Sequence, residues 1–279
     1  MKTKLLTRNL CQIYLSLVPF MTAIIGFGFS HISYKIYLPF WIINVCMMVI
    51  ATWVLGLNVI RNNDTEKKHL AFGASFFIFP WILISIFSGF GPPPENATEW
   101  VATATEQQVR YSLLIIAGIF IAFGFAVLRE NLKNNGESFY SSLGLIAINI
   151  AISLFIINMI FWGFFLTESF RILVASATVK MPEWFLPVRK LFSLISIVEV
   201  ALTYIATAAF AASLKSIGWL GKTASGIYII ISVLASLIIV LSAFCPEPFI
   251  SAGFAVSIPA IPFIMPYFLG IQLLRRVAN

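Results

Sequence analysis

What most constrains this chain is a spacing. Eight apolar stretches, roughly 9–30, 38–60, 70–90, 111–128, 143–166, 190–214, 220–243 and 250–274, follow one another with only short polar interruptions. A helix needs about 20 apolar residues to cross the hydrocarbon core of a bilayer, and these runs have that length. That core holds no water, so each backbone N–H and C=O must be paired within its own segment, which for a single run means an α-helix. The spacing predicts an all-α integral membrane protein, a bundle of about eight transmembrane helices. Composition agrees. Sixty per cent of the 279 residues are apolar and 10% charged, against about 25% charged in an ordinary soluble domain. So many spans leave no room for a separate soluble domain, and residues 1–279 read as one transmembrane domain.

The interruptions carry helix-breaking punctuation. Arg61 to Lys68 separates spans two and three, and Gly91-Pro-Pro-Pro-Glu95 starts the break between three and four. Arg129 to Ser142, containing Asn134-Asn135-Gly136, separates four and five, and Cys245-Pro-Glu-Pro248 separates seven and eight. The break between six and seven, Lys215 to Lys222, is short and contains Trp219 and Leu220. The run after MetLysThrLys continues to about Ser30, too long for the apolar core of a signal peptide, so a retained first span is expected.

Orientation follows from the Lys/Arg bias of membrane loops. With the N-terminus inside, twelve basic residues fall on the cytosolic side: Lys2, Lys4, Arg8, Arg61, Lys67, Lys68, Arg129, Lys133, Lys215, Lys222, Arg275 and Arg276. Six (Lys35, Arg110, Arg171, Lys180, Arg189 and Lys190) fall outside. An even span count returns the C-terminus, with Arg275 and Arg276, to the cytosol. The expected location is a plasma membrane, a bacterial inner membrane by its mostly short loops. The net charge of +7 is spread over span ends, where it suits lipid head groups, and nucleic acid is excluded as a partner.

Two finer features are expected. Between spans five and six, Phe170, Leu173, Val174, Ala177 and Met181 recur at helical spacing, which predicts a short amphipathic helix on the outer surface. The halves 1–136 and 137–279 also share punctuation. Span four ends Gly124-Phe-Ala-Val-Leu-Arg129 and span eight Gly270-Ile-Gln-Leu-Leu-Arg275. Such a 4+4 duplication would be a parallel repeat about the membrane normal.

The chemistry that is missing narrows function. Asp64, in a cytosolic loop, is the single aspartate, which excludes intramembrane aspartyl proteases and Asp-rich prenyltransferases. His31 and His69 lie on opposite sides, so neither a bis-histidine haem site nor a His-based zinc site is available. Cys11, Cys46 and Cys245 are far apart and form no CxxC pair. No Walker or dinucleotide glycine pattern occurs. No cofactor is expected, and the reading leans away from an enzyme.

One acid lies well inside a span. Glu199 is about 13 Å along span six from Lys190, at 1.5 Å per residue. A charge at membrane depth costs several kcal/mol, so an acid there faces protein or water and marks a functional site by default. Counting from the outer ends, Glu199, Asn158 of span five and Asn44 of span two are expected in one outer-third layer. Tyr204, five positions past Glu199, falls on another face. Pro259, Pro262 and Pro266 share one face of span eight and should kink or break it, freeing carbonyls near Pro259. The functional reading is an outward-facing polar pocket formed by Glu199, Asn158, Asn44 and the backbone at Pro259, in a small-molecule or ion transporter that uses Glu199 to bind a proton or cation. The bland reading is that these groups hydrogen-bond between helices and the prolines bend a helix for packing. Two other functions compete. One is a non-catalytic subunit or assembly factor of a membrane complex, or a homo-oligomer. The other is a lipid-modifying enzyme using Glu168, Glu183, His31 and Arg189 at the outer surface.

Overall fold

A computed structural model describes residues 2–29, 31–61, 64–176 and 182–278, with the side chains of residues 2–5 undescribed. Among the described residues the chain is helical throughout, with no strand. Seven helices are long and apolar enough to cross a membrane, or eight if a bent pair at the C-terminal end counts as one span. By length and composition this is a multi-pass membrane protein.

The first spans are α1 (Lys2–Gly28), α2 (Tyr34–Leu55) and α3 (Thr65–Ile84). Asp64 starts α3 by accepting from the Lys67 N–H at 3.1 Å, an N-cap that pairs one of the helix's orphan donors. Two short helices, α4 (Phe87–Phe90) and α5 (Ala97–Ala102), lead to α6 (Ala104–Asn134). Then come α7 (Phe139–Ile160), α8 (Leu166–Ala175), α9 (Phe185–Ser216) and α10 (Lys222–Leu241). The last span is α11 (Phe249–Ser257), a 3₁₀ turn (Ile261–Phe263) and α12 (Ile264–Val277), bent by 61°.

The break between spans six and seven is built by one glycine. Gly218 sits at φ +70°, a left-handed position that glycine tolerates without steric cost. The Trp219 N–H reaches the Leu214 carbonyl at 2.8 Å and the Gly218 N–H that of Lys215 at 3.1 Å. This is a Schellman termination, which pairs the helix's last free carbonyls. Gly136 does the same after α6, at φ +86°, with the Glu137 N–H on Leu132 at 3.0 Å and its own N–H on Lys133 at 3.1 Å.

Both chain ends lie on one face of the bundle. Arg8 donates to the carbonyls of Arg275 and Ala278 at 3.2 and 3.4 Å. On the same face Asn135 reaches Glu66 at 3.0 Å, and the Arg276 guanidinium lies 4.9 Å from the Trp219 ring. The core sits among α3, α6, α7, α9 and α12, around fully buried Phe77, Phe125, Phe210 and Tyr267. Helices α1 and α2 stand at the edge. Phe20, Ile24, Phe40, Ile43 and Ile50 are exposed there, as lipid-facing side chains would be.

Two expectations change. The outer surface helix is not a separate element after span five. Its described part, α8, continues α7 through a π-helical segment, Phe161–Phe165, as one run from Phe139 to Ala175. Of its apolar stripe, Phe170 packs on protein, its ring 5.9 Å from Trp100 and 6.0 Å from Phe185, while Val174 is exposed. Ala177 and Met181 lie outside the described residues. Span six also begins earlier than hydropathy indicates. Arg189 and Lys190 fall inside α9, whose first residue is Phe185, because a helix projects beyond the apolar layer without breaking. For the suggested duplication, span four is one unbroken helix of 31 residues, whereas span eight is bent.

Candidate functional site

Glu199 sits near the middle of α9. Fourteen residues separate it from Phe185 and seventeen from Ser216. The carboxyl is buried, with 4% of the residue exposed. Its Oε1 accepts from the Asn158 side-chain amide at 3.0 Å, and Asn158 is 2% exposed. The main chain at Glu199 is occupied as well. Thr203 donates back to the Glu199 carbonyl at 2.8 Å, and Thr207 to that of Thr203 at 3.0 Å. Glu199, Thr203 and Thr207 thus form a buried polar stripe at i, i+4, i+8, the spacing that puts side chains on one helix face.

Asn158 is the last polar residue of α7 before the π segment. Helix α6 comes very close to this segment, which glycine at 163 permits: a Cβ there would lie 2.6 Å from the Tyr111 Cβ. Such π-bulges concentrate at functional sites. On the Phe185 side of the Asn158–Glu199 pair, Phe161 and Phe192 stack face to face, with centroids 3.9 Å apart and an interplanar angle of 8°. Phe161 is one turn from Asn158, and Phe192 two turns from Glu199. The carboxyl itself is buried.

The expected four-membered constellation separates. Asn44 belongs to a cluster of α1, α2 and the end of α3. It accepts from the Tyr14 hydroxyl at 2.7 Å and donates to the Ser85 hydroxyl at 3.5 Å, while Trp41 donates to the same hydroxyl at 3.1 Å. Its partners include none on α7 or α9. The reason is helix rotation: depth along the chain aligns α2 with α9, but packing places them in different neighbourhoods.

Pro259 lies in the turn between α11 and the 3₁₀ segment, and the break does free carbonyls. Turn bonds from the Ile261 and Phe263 N–H groups take those of Ile258 and Ala260 at 2.8 and 3.2 Å, and side chains reach two others. The Tyr204 hydroxyl donates to Val256 at 3.0 Å, and the Trp81 indole N–H to Phe263 at 3.3 Å. Tyr204 is the residue that spacing against Glu199 discounts. The signal that finds it is different: a buried hydroxyl facing a proline-broken helix needs an acceptor.

The outer-surface set does not assemble. Glu168 pairs with Arg171 at 3.4 Å, and His31, 57% exposed, lies 3.6 Å from Glu106, whose other oxygen is 3.7 Å from Arg110. Among the described residues no hydrogen bond or ion pair joins any two of Glu168, Glu183, His31 and Arg189, and no group of three His, Cys, Asp or Glu stands close enough to hold a metal.

On the face that carries the chain ends, Glu137 forms a second acidic centre that sequence reasoning passed over as a loop residue. It accepts from the N–H groups of Tyr140 at 2.8 Å and Ser141 at 3.2 Å and from the Ser213 hydroxyl, tying α7 to α9. Burial pushes its carboxyl up, but these hydrogen bonds outweigh burial and hold it below the usual value. It borders a cavity of about 550 Å³ lined by Asn135, Tyr140, Ser216 and Trp219.

Compared with known proteins, the chain matches no family model, no curated protein and no solved structure.

Proposed function

We propose that this protein is a membrane transporter for a small molecule or ion, seated in a plasma membrane with both ends cytosolic, and that Glu199 is its charge-binding group. One observation carries the reading: a carboxyl buried midway along a central helix, with one amide and, among the described residues, no cation beside it. A purely structural position would rarely keep a group so costly to desolvate, since an apolar residue of similar volume packs there without penalty. Carriers place such groups where helices are discontinuous. Here the π segment on α7 and the broken eighth span flank the carboxyl-bearing helix. The buried carboxyl corresponds to an occluded state, and outward opening requires the Phe161–Phe192 stack to part.

The test is uptake into liposomes holding the full chain, under an imposed pH gradient, with a panel of labelled small cations, amino acids and organic acids. The expected result is gradient-dependent uptake of one class, lost in Glu199→Gln. Uptake in Glu199→Gln with unchanged pH dependence overturns the reading.

A second reading, a non-catalytic subunit of a membrane complex, is favoured by the edge helices. Only Met48, Ala51, Thr52 and Leu55 of α2 are buried, which leaves a broad apolar face for lipid or for a partner's helix. Purification as a lone monomer counts against it.

A further inference from the structure

The hydrogen-bond inventory of the Asn158–Glu199 pair does not close with an ionised carboxylate. Asn158 donates through Nδ2 to Glu199 Oε1 at 3.0 Å. The two remaining heteroatoms, Asn158 Oδ1 and Glu199 Oε2, are both buried and both without a partner. Among the described residues seven buried side-chain polar atoms lack a partner, and these are the only two on residues already bonded to each other. Both are acceptors when the acid is ionised, and buried acceptors left unpaired are strongly disfavoured. A carboxyl and an amide already joined by one N–H···O bond need a single further hydrogen to close an eight-membered ring. A proton on Oε2 turns that oxygen into the donor that Oδ1 lacks. Turning the amide over interchanges its two atoms and leaves the same requirement.

We propose that Glu199 is held neutral, with its proton on Oε2 donated to Asn158 Oδ1, so that the pair is a proton site and not a metal-cation site. This rests on the carrier reading above and names the ion it couples to. The surroundings agree. The residues of α7, α11 and the 3₁₀ turn include no Asp, Glu, Lys, Arg or His. Helix α10 contributes only Lys222 at its far end and Tyr228. On α9 itself Arg189 and Lys190 lie nine or more residues outward and Lys215 sixteen inward, while Tyr204 spends its hydroxyl on Val256. Among the described residues no cation pairs with the carboxyl to stabilise its charged form. A metal ion would need about six oxygen ligands or more, and the pair offers only Asn158 Oδ1 and Glu199 Oε2 unpaired. Release of the proton leaves a bare carboxylate against Asn158 Oδ1. That repulsion is a ready trigger for parting the Phe161–Phe192 stack, because the charged form needs water or a cationic substrate.

The experiment is infrared difference spectroscopy on the full chain in lipid, with Glu carbons labelled with ¹³C. The expected signature at neutral pH is a protonated-carboxyl C=O band that shifts with the isotope and in D₂O. It is lost in Glu199→Gln and moves to higher frequency in Asn158→Leu, where its hydrogen-bond partner is gone. Glu199→Gln reproduces the ring with a second amide, so it should fold with an unchanged melting temperature. The wild-type isotope shift needs no variant at all. Absence of a protonated band at neutral pH, or a band titrated by Na⁺ or K⁺ at fixed pH, overturns the proposal. The two readings fail separately. A protonated Glu199 in a protein that moves nothing sinks the carrier and keeps the proton site. Transport with an ionised Glu199 does the reverse.

Discussion

Two interhelical polar clusters sit in this bundle, and they differ in one respect. In the cluster of α1, α2 and α3, Tyr14, Asn44, Trp41 and Ser85 all find partners, down to the Ser85 hydroxyl donating to the Ile82 carbonyl at 2.8 Å. In the cluster of α7 and α9, one bond is made and two buried acceptors are left over. Both contain an asparagine at membrane depth, so residue type does not separate them. Completeness does. A closed network holds helices together and has nothing left to bind. An open one is poised for a ligand, here a proton.

The largest effect expected from breaking this contrast is functional. Glu199→Gln should abolish gradient-dependent uptake in liposomes while leaving the melting temperature unchanged. Asn44→Leu should do the opposite. It strips the partners of Tyr14 and Ser85, and at about 0.6 kcal/mol for each interhelical bond in a membrane the loss is about 1 kcal/mol. That appears as a lower unfolding midpoint with uptake preserved. If Asn44→Leu abolished uptake at full stability, the two clusters would not be functionally distinct.

Glu137→Gln tests a third, ionic kind of closure. The Glu137 carboxyl is held below its ordinary value when folded. Its stabilisation is therefore present above the unfolded value of about 4.3 and is lost as pH falls through the folded one. The variant should melt lower than wild type near neutrality, with the two curves converging in acid; a constant gap across pH would remove the ionic account. The smallest effect belongs to Tyr204→Phe. Losing the bond to Val256 costs about 0.6 kcal/mol, and it should raise hydrogen exchange at the α11–α12 break without altering the Glu199 infrared band.

The legible and illegible parts of this molecule divide by dimension. Hydropathy and loop punctuation, read along the chain, indicate the multi-span helical class, the break at Lys215–Lys222, and Glu199 as the acid inside a span. Gly136 and Gly218 act where they stand, since a left-handed residue ends a helix by local geometry alone. The proline cluster likewise announces the broken eighth span, because a missing N–H is a property of the residue. Helix ends were less legible. Arg189 and Lys190 look like the start of a helix, but α9 runs on past them to Phe185, which puts Glu199 near the middle of the helix.

What the sequence by itself determined is thus a list of segments and the few polar residues that must find company inside them. Only the tertiary structure decided which company. Asn158 and not Asn44 meets Glu199, Tyr204 caps the bent C-terminal pair from a face that spacing discounts, and Phe161 stacks on Phe192. The physical reason is that apolar helices in lipid have little hydrophobic preference for one neighbour over another. Their rotation and pairing come from close packing and a handful of interhelical hydrogen bonds, and these depend on three-dimensional neighbours that no one-dimensional pattern names.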